Sequence, residues 1–598
     1  MRNAQRFTVR AIAPFVTLGL AEIALFFHDP GHFFIADTLV WMEYRHRSFS
    51  EFLSGFFQVD PGLWYRPLAQ RTVESLLFPF VGFNPLPYRV IGFVLFFACT
   101  AGVYLLARSL TTNNRIAWLS VLVFTPHLLH TFPTYDASFT PELVFTLFYI
   151  ASTLLFIRFL RTDIGWALVG SAALFVASLL SKEAAVSLPF TLVAIWILLP
   201  RKQRGKIWSV LPHFAILGVY LVIAVGLLDV RHIDFVDFLG RGESTPSEYA
   251  FGIGPHVLTN MELSFSWVFG IPQSDHGFWL FDSPRKLFIL EWLRVFFVAG
   301  SVCVLFTSRR RFLLLGIAWF LTTASAGLLL VTHFLPYYLF APLAGFALAM
   351  ATIIDWVYVE LRALMPRIAV AAPVTLLAVW TVIHVNTGRG IAESHILLGN
   401  GARVSATTIR DIRSLYPKLP KRTHVVLFNE DAPTAYRDHG GVLLQLAYND
   451  PSLTMHYVTP GFSLPLEELN AGRVVVLKWV DDRIVDITSL VSQRPEVLAP
   501  HPPSTNYHLE LSSPERSAGG ASYVVRVPEL AHASAVVLYA IDGVVMEPLT
   551  IDLDDRGAAR VDLSPAAKPG TYTFFAVRRA TDTTWVPVSR SIRVGQAY

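Results

Sequence analysis

Apolar residues arrive in long blocks through the first 390 positions and in short runs after them. Eleven blocks, near 10–27, 88–107, 116–132, 141–160, 165–181, 184–200, 207–228, 287–307, 312–332, 336–357 and 368–387, approach the length of a membrane-crossing helix. Such a helix needs about 20 apolar residues. The stretch 251–272 is apolar but interrupted by Gly, Pro, His and Asn, and predicts an interfacial or re-entrant helix instead of a twelfth crossing. Beyond 390 the pattern changes period. Short β runs at 424–428, 473–479 and 483–487, with helical patches at 407–415 and 441–447, predict a small soluble α/β unit. Pro500, Pro502, Pro503 and Pro514 mark a linker. Alternating runs at 522–527, 535–541, 550–553, 558–563, 571–578 and 592–594, separated by turn residues, then predict an immunoglobulin-like β-sandwich. The expected fold class is an α-helical polytopic membrane domain over 1–389, a soluble α/β region over 390–498 and a β-sandwich over 499–598.

Charge turns this pattern into a topology. Only 15% of the 598 residues are charged, against about 25% in soluble domains, and the mean hydropathy is +0.49. Before residue 390 there are four lysines, Lys182, Lys202, Lys206 and Lys286. The short connections 108–115, 158–163, 201–206, 309–311 and 360–367 are rich in Lys or Arg and alternate with connections poor in them. That alternation predicts a cytoplasmic N-terminus, an integral cytoplasmic (inner) membrane protein and an extracytoplasmic C-terminal region. Arg2, Arg6 and Arg10 precede the first block without a convincing cleavage site, so the first block reads as an uncleaved span. A net charge of +4 forms no nucleic-acid stripe. Cys99 and Cys303 sit in apolar blocks and read as small hydrophobes, not a disulfide or metal framework.

The unusual polar residues collect on the face opposite the basic connections. Ser181-Lys182-Glu183 joins two uncharged blocks, and an ionisable pair at such a place reads as functional by default; a snorkelling lysine is the alternative. The long connection 28–87 carries Asp29, Asp37, Asp60 and Tyr65-Arg66-Pro67. Asp136, His127 and His130 lie around 133–140, and His333 shortly precedes Tyr337-Tyr338. Arg66 and Lys182 are the groups that would hold a lipid phosphate, Arg66 through two parallel hydrogen bonds and Lys182 as a point charge. Arg66 has no acid beside it in sequence, and Glu183 stands next to Lys182; pinning of Arg66 against loop carbonyls is the alternative. A carboxylate at a partly dry interface can serve as general base, which points to Asp29 or Asp37 taking a proton from an acceptor hydroxyl as a sugar carbon is attacked. Asp29 beside Pro30-Gly31 could equally cap a turn. Tyr65 joins Arg66 and Lys182 as a donor-phosphate-binding candidate, and Glu183, Asp136, His127, His333 and Tyr338 are supporting candidates, with interfacial packing the alternative for the histidines. No Asp-x-Asp pair occurs in these loops, so no metal ligands are assigned and no cofactor is required, although a divalent ion is compatible. The blocks hold few ionisable residues at mid-depth, which argues against a lipid or glycan transporter.

Three short motifs, Tyr65-Arg66-Pro67-Leu68, Leu180-Ser181-Lys182-Glu183-Ala184-Ala185 and Tyr338-Leu339-Phe340-Ala341-Pro342-Leu343-Ala344-Gly345, occur in that order at span ends. In these the chain resembles the GT-C superfamily of integral membrane glycosyltransferases, in particular its protein O-mannosyltransferase-like and tetratricopeptide-linked branches, over roughly 10–388. The resemblance implies transfer of a sugar from a polyprenyl-phosphate donor, on the extracytoplasmic face, to a protein or glycan acceptor. It also implies a base in the first outer loop, where Asp29 is followed by Pro30 and not by the family's second acid. Phe124-Thr125-Pro126-His127 with His130 is similar to the family's second-loop pattern in altered order, and the tetratricopeptide tail is replaced by the β-rich region. A scaffold that has kept the fold and lost activity is the main rival.

Overall fold

The computed structural model describes residues 17–26, 33–35, 37–43, 50, 53–54, 66–69, 73–200, 207–223, 252–272, 283–331, 334–395, 398–428, 441–457, 466–480 and 483–493, with strand and turn residues between 510 and 594. The chain divides into two compact units, Met1–Arg403 and Val404–Tyr598.

The first unit is helical. Among the described residues six helices are long and apolar enough to cross a membrane: Pro85–Thr111, Ala137–Thr162, Pro284–Leu305, Arg310–Leu328, Pro336–Leu364 and Ala371–Ser394. A further apolar pair, Asn114–Phe124 and Leu128–Tyr135, meets at 63°. The break falls at Pro126, which lacks an amide hydrogen and cannot continue the preceding helix. His127 follows in extended conformation and caps the next turn, its Nδ1 accepting from the Leu129 amide at 3.2 Å. The other expected blocks fall on shorter apolar helices, Thr17–Phe26, Gly165–Leu179, Glu183–Leu198 and Ile207–Leu221. Residues 255–267 form a 13-residue helix outside the membrane-length set.

The helix Phe340–Leu364 is the axis of this unit, with every residue from Phe340 to Asp355 buried. It packs against Arg310–Leu328 backbone to backbone. A Cβ added to Gly345 would lie 2.5 Å from the Gly316 carbonyl oxygen, and one added to Gly316 would lie 2.6 Å from that of Gly345. Lipid offers no hydrophobic force between helices, so close approach through small residues is what joins them. Trp319 locks the pair by donating from Nε1 to the Ala341 carbonyl at 3.0 Å.

Two of the basic connections are pinned to the same helix. The Asp355 carboxylate is fully buried and pairs with Arg115 through one oxygen and with Arg309, at 3.1 Å, through the other. Removing a buried ion's partner leaves the remaining charge uncompensated, at about 3–5 kcal/mol. Arg115→Ala together with Arg309→Ala, which strands the buried Asp355 carboxylate, is therefore expected to lower the thermal unfolding midpoint of the detergent-solubilised protein sharply, while Arg310→Ala, at an exposed neighbouring position, leaves it within about a degree. Equal midpoints for the two variants would refute this anchoring.

In the second unit, strands β1 (His424–Phe428), β2 (Thr454–Tyr457), β3 (Val474–Val480) and β4 (Arg483–Asp486) form one mixed sheet of order β2-β1-β3-β4. β1 pairs parallel with β2 and β3, and β4 runs antiparallel to β3. Val425 and Leu427 join one apolar cluster and Val426 another, so both faces of β1 are covered, as parallel strands require. His424 and His456 stack across β1 and β2 with centroids 5.2 Å apart, and burial together with the His424 charge holds His456 below the usual imidazole range. Further along, Leu549–Asp552, Ser534–Ile541, Gly570–Arg579 and Trp585–Val594 pair antiparallel in that order, with Val544–Val545 on Ser534–Ile541. Ala558–Leu563, Gly520–Arg526 and Glu510–Leu511 form a second antiparallel sheet, with Glu515–Ser517 on Gly520–Arg526.

Candidate active site at the joint of two apolar helices

The helix Gly165–Leu179 ends in a tight turn in which the amides of Ser181 and Lys182 both donate to the Ser178 carbonyl, at 3.1 and 3.0 Å. Lys182 then adopts extended backbone, and Glu183–Ser187 forms one 3₁₀ turn leading into Leu188–Leu198. Pro189, at the first turn of that helix, suits a position whose amide has no intrahelical acceptor.

Three distant segments close on this joint. The Leu68 amide donates to the Leu180 carbonyl at 3.1 Å, laying the Arg66–Ala69 segment along it. Arg66 donates from Nε to Glu183 Oε2 at 2.7 Å and from Nη2 to Oε1 at 2.6 Å, the bidentate geometry that suits guanidinium and carboxylate. The Lys182 ammonium, 4% exposed, bonds to Glu142 Oε1 and stands 4.6 Å from the centre of the Tyr338 ring. Pairs of this kind persist in dry surroundings because each charge answers the other.

These contacts correct the pairing expected from sequence. The acid that neutralises Arg66 is Glu183, 117 residues away, and the acid on Lys182 is Glu142, 40 residues away. Sequence proximity suggested Glu183 for Lys182; the 3₁₀ turn begins at Glu183 and brings its carboxylate to Arg66 instead.

A second junction lies beside the first. Asp37 opens the helix Asp37–Glu43 and is exposed. Thr38 donates to Asp136 Oδ1 at 2.5 Å, and the Ser138 amide donates to Thr38 Oγ1 and Asp136 Oδ1 at 3.0 and 2.9 Å. The connections 28–87 and 133–140 are thereby tied together. Between them lies a cleft lined by Phe33, Phe34, Tyr88, Arg89, Tyr135 and Asp136. Arg89 is buried there, donating from Nη2 to the Phe26 carbonyl at 2.9 Å with its guanidinium 4.3 Å from the centre of the Tyr135 ring. Thr140 also lines the cleft, and Glu142, two residues further along the same helix, carries Lys182. Asp29, Tyr65 and His333 lie outside the described residues.

His127 belongs to the packing core and not to either junction. It is sealed from solvent, its Nε2 faces the Val268 carbonyl at 2.9 Å, and its ring stacks 4.1 Å from His384 and 5.5 Å from Trp380. His130 is buried among Phe96, Phe124 and Phe340. No group of three His, Cys, Asp or Glu among the described residues is placed to hold a metal ion.

Sequence reasoning missed the weight of Glu142, Arg89 and Asp355. Each is one of at most two charges in an apolar block, and that isolation was the available signal. Glu22, His213 and Asp355 are all buried within apolar helices, Glu22 beside Thr100 and His213 bonded to Ser171 at 2.9 Å.

A family model described as Dolichyl-phosphate-mannose-protein mannosyltransferase matches residues 67–228. That stretch holds the end of the first motif and all of the second, and with them Asp136, Glu142, Lys182 and Glu183. The chain is similar to GT-C membrane glycosyltransferases. No curated protein matches its sequence. Among solved structures it is similar to the archaeal oligosaccharyltransferase AglB from Archaeoglobus fulgidus in complex with an inhibitory peptide and a dolichol-phosphate. That likeness has 13% identity and a TM-score of 0.41 over 74% of this chain, and spans 64% of the length of the other. It is also similar to the Archaeoglobus fulgidus oligosaccharyltransferase tethered with an acceptor peptide containing the NVT sequon, at 11% identity, a TM-score of 0.41 and 98% coverage of both chains.

Proposed function

We propose that this protein transfers a sugar, hexosyl or pentosyl, from a polyprenyl-phosphate donor to a protein or glycan acceptor at the extracytoplasmic face, with inversion at the anomeric carbon. The observation that carries this reading is the convergence of residues 66–69, Glu142, Lys182-Glu183 and Tyr338 on one joint between two apolar helices; two cations gathered on one joint suit the recognition of a lipid phosphate. Asp37 or Asp29 takes the proton from the acceptor hydroxyl. The acceptor oxygen attacks the anomeric carbon, the bond from that carbon to the phosphate oxygen breaks, and polyprenyl monophosphate departs held by Arg66 and Lys182, with Tyr65 as the third donor-phosphate-binding group. Asp136 supports the base loop through Thr38, and His127 supports from the core; His333 stays a supporting candidate. No metal is needed for this sequence of steps. The matched family's description, with its dolichyl-phosphate sugar and protein acceptor, agrees with the donor class. In this reading eleven segments cross an inner membrane from a cytoplasmic N-terminus, and 390–498 and 499–598 lie outside, the latter as a β-sandwich that binds the acceptor or a partner.

A non-catalytic scaffold is the second reading, favoured by the pairing of both Arg66 and Lys182 with acids. One assay separates them. The purified full chain is offered radiolabelled polyprenyl-phosphate mannose, glucose, galactose and arabinose with a mixed peptide and oligosaccharide acceptor pool. Sugar transfer from at least one donor is expected, falling by about 10²-fold or more in either Asp37→Asn or Asp29→Asn, the size of a lost general base. Full activity in both variants contradicts the base assignment, and no release of polyprenyl monophosphate from any donor supports the scaffold.

A further inference from the structure

Beneath the joint lies a chain of hydroxyl groups that the transfer reaction does not use. Tyr149 sits two helical turns beyond Glu142 on the same helix, and so on the same face. Its hydroxyl lies 3.1 Å from Ser187 Oγ and 2.5 Å from Thr191 Oγ1. Thr191 Oγ1 lies 2.7 Å from Thr322 Oγ1. The Tyr149 ring meets Trp319 edge-on at 5.3 Å, and Trp319 donates to the Ala341 carbonyl. Tyr149, Ser187 and Thr191 are all buried.

Each element that cages Lys182 is therefore held at Tyr149. Glu142 is on Tyr149's own helix. The turn Glu183–Ser187, which starts beside Lys182, ends at the Ser187 hydroxyl. Tyr338 lies three residues before Ala341 in the segment that Trp319 grips. A lysine carries its charge on a long flexible stem, so its location is set by the walls around it and not by the side chain itself.

We propose that Tyr149 is a positioning residue that fixes the Lys182 ammonium for a lipid phosphate by bracing, through Ser187, Thr191 and Trp319, the three elements around it. This rests on the reading of Lys182 as a phosphate-binding group. Tyr149 does not touch the donor; it acts through Lys182. Tyr149→Phe keeps the ring and its packing on Trp319 and loses only the shared hydroxyl. Thr191→Val keeps Tyr149 and breaks the same brace from the other side.

The test measures binding of polyprenyl monophosphate to the full chain in lipid nanodiscs, together with donor KM and kcat. Tyr149→Phe and Thr191→Val are each expected to weaken binding, and to raise donor KM, by about fivefold, the effect of one neutral hydrogen bond, with kcat within twofold. The deciding background is Lys182→Met with Glu142→Gln, where neither change should weaken the residual binding further. Weakening by the same factor in that background, or unchanged binding in the Lys182 background, overturns the positioning role while leaving the phosphate site intact. If the unaltered chain binds no better than the Lys182→Met, Glu142→Gln protein, the phosphate site itself is refuted and the bracing role with it.

Discussion

Replacing Lys182 by methionine is expected to lower kcat/KM for a polyprenyl-phosphate donor by about 10²–10³-fold, the loss seen when one preorganised charge-stabilising donor is removed from a dry site. The same change has a second consequence. Glu142 would keep its buried carboxylate with no cation on it, at about 3–5 kcal/mol of stability. An inactive Lys182→Met protein could then simply be a misfolded one. The pairing seen here separates the two effects, because Glu142→Gln added to Lys182→Met removes the orphan charge. The double variant is expected to recover most of the thermal stability and none of the transfer activity. Recovery of activity with stability would mean that Lys182 serves only to hold two helices together. Donor turnover and thermal unfolding in the same detergent decide between them.

Gly345→Ala is expected to destabilise the helical unit strongly. The new Cβ would stand 2.5 Å from the Gly316 carbonyl oxygen and 2.6 Å from the Phe320 amide nitrogen, both backbone atoms that cannot swing aside. The two helices must separate, and overpacking of this kind costs about 1–3 kcal/mol or more. Gly316→Ala meets the same partner from the other side and should behave alike. Gly390→Ala, with nothing within 4 Å of the added atom, is the control. Surface expression and unfolding midpoint of the three variants check this; equal values would show that the interface opens freely. Gly345 also closes the third sequence motif, so that end of the motif records helix packing while Tyr338 at its start touches Lys182.

The helical blocks were legible because membrane crossing imposes a length and a composition that sequence displays directly. β1 and most of the later strands were legible through alternation. β2 was not, since Thr454–Tyr457 is only four residues long and becomes a strand by pairing parallel with β1. The last strand, Trp585–Val594, was seen only at its end because Pro587 interrupts the pattern. Candidate site residues were legible one by one but not as pairs. Lys182 and Arg66 stood out as charges near apolar blocks, yet nothing in spacing tells that Glu183 faces Arg66 and Glu142 faces Lys182. That exchange follows from the direction of one 3₁₀ turn. His127 resembled an interfacial group by its place in the motif, whereas Pro126 bends the chain and carries the ring into the core beside Trp380 and His384.

The claim on which the rest depends is that Arg66 and Lys182 together receive the phosphate of a polyprenyl lipid. A density map of the full chain with polyprenyl monophosphate bound tests it most directly. The account predicts the phosphate at the joint, within hydrogen-bond distance of Lys182 Nζ and the Arg66 guanidinium, with at least one of the Glu142 and Glu183 pairings loosened to admit it. A phosphate seated elsewhere, with Arg66–Glu183 and Lys182–Glu142 unchanged, would contradict it.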